Sequence, residues 1–83
     1  MTKFETLQDA FKARKDEVLS YQVNIDNYIR AIAKINAEHE NNVAMVQFRD
    51  QLTELLASSK TEQLKASIIR DVIADQITEL EAS

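Results

Sequence analysis

The chain has 83 residues, with ten basic and fourteen acidic side chains, a net charge of −4, and no glycine, proline or cysteine. That length allows one small domain, near the size where a lone core is only just sufficient. Without glycine there is no tight β-hairpin turn, P-loop, dinucleotide fingerprint or nucleophile elbow, and without cysteine no disulfide framework or thiolate zinc site.

Thr2-Lys3-Phe4-Glu5 matches a capping box, in which a hydroxyl takes one free amide and the glutamate returns to another. A helix is therefore predicted from about residue 3 to 38. The segment begins no apolar signal region, and no run approaches 18 apolar residues, so a soluble, cytoplasmic protein away from membranes is expected. Along this helix Phe4, Leu7, Phe11, Arg14, Val18, Tyr21, Ile25, Tyr28, Ile32 and Ile35 alternate spacings of three and four. A strict seven-residue repeat keeps an apolar stripe against a partner only if two helices supercoil. Arg14 is the one polar member, and its first expected role is to fix register.

The rhythm fails at Glu38-His39-Glu40-Asn41-Asn42. These residues predict a turn over about 39–42, with the two asparagines as the residues best able to take a left-handed conformation. A second seam follows in Met45, Phe48, Leu52, Leu55, Ser59, Glu62, Ala66, Ile69, Ile73, Gln76 and Leu80. Its centre is polar or small, and Ser59-Lys60-Thr61-Glu62 is another capping-box match. The second arm, about 43–81, thus has two readings: one helix, or two helices split near Ser58-Ser59.

The halves have similar lengths, so the expected fold is all-α, a single-domain antiparallel coiled-coil helical hairpin. Residues whose numbers add to about 80–84 come opposite one another. This pairing sets Arg14 near Glu62 and Ala66, and sets Lys3 by Glu81, Lys12 by Asp71, Arg30 by Glu54 and Lys34 by Asp50. Large apolar residues remain off both stripes: Leu19, Val23, Ile29, Val43, Val46, Leu56, Leu64, Ile68, Val72 and Ile77. At about 1.5–3 kcal/mol for each such side chain buried, self-association into a two-fold four-helix bundle is the simplest remedy.

No chemical site emerges from the residue pattern. His39 stands alone without a second imidazole at ligand spacing, so no metal is expected, and the serines lack a histidine base. Tyr21 and Tyr28 read as core fillers. Asp71, Asp75 and Glu79 form an acidic ridge at i, i+4 and i+8, which is expected to meet Lys12 and Lys15 or a partner. The expected interface, toward a second copy or a partner, comprises Arg14, Leu19, Val23, Leu64, Ile68, Val72, Asp71, Asp75 and Glu79.

The functional expectation is a non-enzymatic interaction module: an adaptor, assembly chaperone or inhibitor working by helix pairing. A phage or bacterial accessory factor fits the composition. The alternatives are a structural or secreted hairpin subunit that polymerises and a nucleic-acid-associated regulator. Interspersed charges and the absence of a basic face argue against the last. The expected partners are the chain itself, as a homodimer, and an unidentified protein. No nucleic acid, membrane, small molecule or cofactor is expected.

Overall fold

The computed structural model describes all 83 residues and contains two helices, α1 (Lys3–Glu38) and α2 (Val43–Ala82), folded back on each other as a hairpin. The hairpin is a rod of 62 × 16 × 15 Å. No helix is long and apolar enough to cross a membrane.

α1 begins where the capping residues place it. Thr2 is extended, and its hydroxyl oxygen accepts from the Glu5 backbone N–H at 3.2 Å. The Glu5 carboxylate accepts the Thr2 hydroxyl proton at 3.2 Å, where a full capping box has it engage the Thr2 amide.

The turn differs from expectation in its chemistry. The His39 amide closes α1 on the Ile35 carbonyl at 2.8 Å, and the Asn42 amide donates to the His39 carbonyl at 3.0 Å. No residue has a positive φ, so neither asparagine is left-handed. Asn42 is extended (φ −96°, ψ 108°) and serves as N-cap of α2, its side-chain oxygen accepting from the Met45 amide at 3.2 Å. A cap of this kind contributes about 1 kcal/mol, whereas a left-handed non-glycine residue costs about 1–2 kcal/mol. Asn42→Ala is accordingly expected to destabilise the protein by about 1 kcal/mol. Asn41→Ala should change stability by less than about 0.5 kcal/mol. Chemical denaturation followed by circular dichroism separates the two.

α2 is one unbroken helix of 40 residues, so of its two readings the continuous one holds. Ser59, the capping residue of the predicted box, lies inside the helix, and within that box the Thr61 hydroxyl bonds back to the Ala57 carbonyl at 3.2 Å. Thr53 and Thr78 do the same to Arg49 and Ala74. A hydroxyl satisfied in this way needs no helix start, and packing along α1 rewards continuity through Ser59, which is half-buried.

The core consists of Ile25 and Ile35 from α1 with Leu52, Ala66 and Ile73 from α2. On α1 the predicted stripe faces inward as expected, with Phe4, Leu7, Phe11, Val18, Tyr21, Tyr28 and Ile32 half-buried. Arg14 is the exception: its guanidinium stays exposed and pairs with Glu17 at 2.7 Å, while Glu62 pairs with Lys65 at 2.9 Å. The anticipated approach of Arg14 to Glu62 is not formed.

On α2 the predicted seam is correct at Met45, Leu52, Ser59, Glu62, Ala66, Ile73 and Gln76, which are buried or half-buried, and not at Phe48, Leu55, Ile69 and Leu80. Leu52, Ser59, Ala66 and Ile73 recur every seven residues and face α1. One edge of that row carries Arg49, Leu56, Gln63, Arg70 and Ile77, all half-buried against α1. The other edge carries Phe48, Leu55 and Ile69, which are 45%, 48% and 47% exposed, and Leu80 is exposed as well. The more polar edge thus lies inward. Arginine and glutamine can lay their stems on an apolar surface while their heads reach the rim. Arg49 donates to the Asn36 side chain at 2.9 Å. The Gln63 amide donates to Gln22 at 2.9 Å and to the Val18 carbonyl at 3.2 Å.

These contacts also fix the register. Asn36 meets Arg49 and Gln22 meets Gln63, each pair of numbers adding to 85, and Gln63 meets Val18 at 81, within a turn of the expected range. The four predicted cross-helix ion pairs do not form. Lys34 is within 3.9 Å of Glu38, Arg49 within 3.3 Å of Asp50 and Arg70 within 3.0 Å of Asp71. A neighbour one turn away or adjacent in sequence is already held nearby, so pairing with it orders less of the chain than bridging two helices.

Candidate interaction surface

Three rows of α2 define its relation to α1. The row of Leu52, Ser59, Ala66 and Ile73 is central, because it holds the three buried residues of α2 and half-buried Ser59. Arg49, Leu56, Gln63, Arg70 and Ile77 form one bordering row. Phe48, Leu55, Glu62, Ile69 and Gln76 form the other, in which Phe48, Leu55 and Ile69 are exposed and Glu62 and Gln76 half-buried. Beyond it lies a further row of Ala44, Gln51, Ser58, Lys65, Val72 and Glu79.

Twelve large apolar residues are exposed, while five residues of any kind are buried. Eight of the twelve lie on α2: Val43, Phe48, Leu55, Leu64, Ile68, Ile69, Val72 and Leu80. Val46, Leu56 and Ile77, counted from the sequence as surplus, are half-buried within the hairpin. Phe48, Leu55, Ile69 and Leu80 take their place outside. Their exposure was missed because they continue an apolar alternation that reads as an internal seam. The signal that could have found them is the long-stemmed polar residue one position later: Arg49 after Phe48 and Arg70 after Ile69.

The nine predicted interface residues divide by position. Leu19 and Val23 form a small patch on the outside of α1, 56% and 59% exposed. Arg14 lies nearer the seam and is held by Glu17. Leu64, Ile68 and Val72, at spacings of four, wind across the outer face of α2 and are all exposed. Asp71, Asp75 and Glu79 run beside them. Asp71 pairs with its own neighbour Arg70, and the expected pairing of the ridge with Lys12 and Lys15 is not formed.

Two depressions mark the ends of the rod. One, of about 410 Å³, lies between the free helix ends and is lined by Gln8, Phe11, Ala74, Ile77 and Thr78. The other, of about 520 Å³, is the outer surface of the turn from Ala37 to Asn42. No three histidine, cysteine or carboxylate residues converge as a metal site, and no polar or charged residue is buried. His39 lies 3.9 Å from the Glu38 carboxylate at the turn. The chemistry available to this surface is hydrophobic contact bordered by charge. Compared with known protein families, characterised proteins and solved structures, the chain has no match.

Proposed function

We propose that the chain is a non-enzymatic protein–protein interaction module that works by helix pairing, with a second copy of itself as its first partner. The supporting observation is the imbalance between five buried residues and twelve exposed large apolar ones. A compact protein of 9.5 kDa exposes about 5000 Å², and this hairpin exposes 6056 Å². The excess is close to the roughly 800 Å² that each partner contributes to a standard interface. A two-fold four-helix bundle covers such a surface with the packing that already joins α1 to α2. The role that follows is that of an adaptor, assembly chaperone or inhibitor, and the compositional association with phage or bacterial accessory factors agrees with it.

Light scattering over a concentration series is the test. A plateau at twice the 9.5 kDa chain mass supports the proposal. Mass that keeps growing with concentration favours a polymerising subunit instead, and a single-chain mass throughout defeats self-association. A nucleic-acid role is separable: with interspersed charge and net −4, no electrophoretic shift of duplex DNA is expected even at low salt, where phosphate binding is strongest.

A further inference from the structure

Resting on the self-association reading, we propose which face the two copies share. The second copy lies along the row of Phe48, Leu55, Glu62, Ile69 and Gln76, with the two α2 helices antiparallel across a two-fold axis near residues 63–64.

Three observations carry this. The first is the asymmetry of the hairpin: the α2 edge turned toward α1 contains Arg49, Gln63 and Arg70, while on the other edge Phe48, Leu55 and Ile69 are left 45–48% exposed and Glu62 and Gln76 are half-buried. That edge and the next row outward follow the alternation of three and four, with Phe48, Leu55, Ile69 and Val72 as their large apolar members. The second is reach. From Ala44 to Glu79 the two rows span about 52 Å at 1.5 Å per residue. A strip of that length along a rod about 16 Å wide supplies the area one partner needs in a standard interface.

The third is charge. Glu62 is the single charged member of its row, and Lys65 is its neighbour in the adjoining row, 2.9 Å away. A parallel two-fold sets Glu62 of one copy against Glu62 of the other. The antiparallel arrangement centred at 63–64 sets each Glu62 opposite Lys65 of the second copy, and each Leu55 opposite Val72. The axis then falls at the middle of α2, which runs from Val43 to Ala82, so the two helices overlap along their full length.

Leu55 and Ile69 are half-exposed in the hairpin, so lysines there leave it intact. The double variant Leu55→Lys/Ile69→Lys is expected to raise the dimer dissociation constant by roughly 100-fold or more, because truncating or charging central interface anchors costs about tenfold or more each. Its circular dichroism should remain helical. Leu19→Lys and Leu64→Lys, on other faces, should remain dimeric. In a chain without cysteine, Gln51→Cys and Gln76→Cys give an independent readout of direction. Mixed and mildly oxidised, they should form a mixed disulfide, and neither alone should cross-link with itself.

A dimer that survives the double lysine variant, or that dissolves on Leu64→Lys, places the interface elsewhere and overturns the face while leaving self-association standing. Self-cross-linking of Gln76→Cys alone overturns the antiparallel direction. A wild-type chain that scatters as 9.5 kDa at every concentration overturns both the face and the self-association on which it rests.

Discussion

Ile25→Ala is expected to lower the free energy of unfolding by about 2–5 kcal/mol, measured by urea titration at a fixed protein concentration. Ile25 is 4% exposed and belongs to a core of five residues. Neighbours in so thin a layer have little freedom to collapse into the space left behind. A domain of 83 residues is expected to be stable by about 4–12 kcal/mol in total, so this one change removes a large share. Leu19→Ala, at 56% exposure, should alter stability by no more than about 0.5 kcal/mol. Equal losses at the two positions contradict the packing described here. The same logic separates Ile73 from Ile69, which the sequence placed on one seam. Ile73→Asp buries a carboxylate in the hairpin and should unfold it. Ile69→Asp should leave it helical, since Ile69 already meets solvent.

The second large effect is expected at Lys60→Pro. In a continuous α2, proline at 60 removes the amide that bonds to the Leu56 carbonyl and sets its ring against that carbonyl, at a cost of about 3 kcal/mol or more. For a domain of this size the loss corresponds to a fall in melting temperature of roughly 12–24 °C. If the chain broke at Ser59, residue 60 would be the first position of a new helix, where proline is well tolerated. Lys60 itself is exposed, so little besides the backbone is tested. An unchanged melting curve by circular dichroism would sink the single-helix description.

Much of the fold was legible because each legible feature depended on neighbours in sequence. The start of α1 follows from Thr2 and Glu5, the reversal from the polar run at 38–42, and the inward face of α1 from nine apolar residues in strict alternation. The limits of α2 were equally plain, but its rotation was not. A row of four residues at sevenfold spacing has two borders, and hydrophobicity alone favours Phe48, Leu55 and Ile69 over Arg49, Gln63 and Arg70. At the opposite edge α1 offers Asn36 to Arg49 and offers Gln22 and the Val18 carbonyl to Gln63, while Arg70 bonds to its own neighbour Asp71. The acceptors on α1 lie 13 to 45 residues away in the chain, beyond the range of periodicity. Cross-helix ion pairs failed for a related reason: opposition in register does not bring two flexible side chains together when a closer partner exists. The candidate surface was visible only as a surplus. Its magnitude could be counted from the residues, but its address depended on that rotation.

The elongated shape has a consequence for how association reveals itself in solution. The radius of gyration is 18.4 Å, the value of a compact chain of roughly 270 residues. Even one copy will therefore migrate like a much heavier globule. Drag and overall dimension in such a particle are governed by its 62 Å length. Two copies laid side by side, overlapping along all of α2, double the mass while leaving that length almost unchanged. Elution volume should consequently move little between one copy and two, while scattered intensity per unit weight should double.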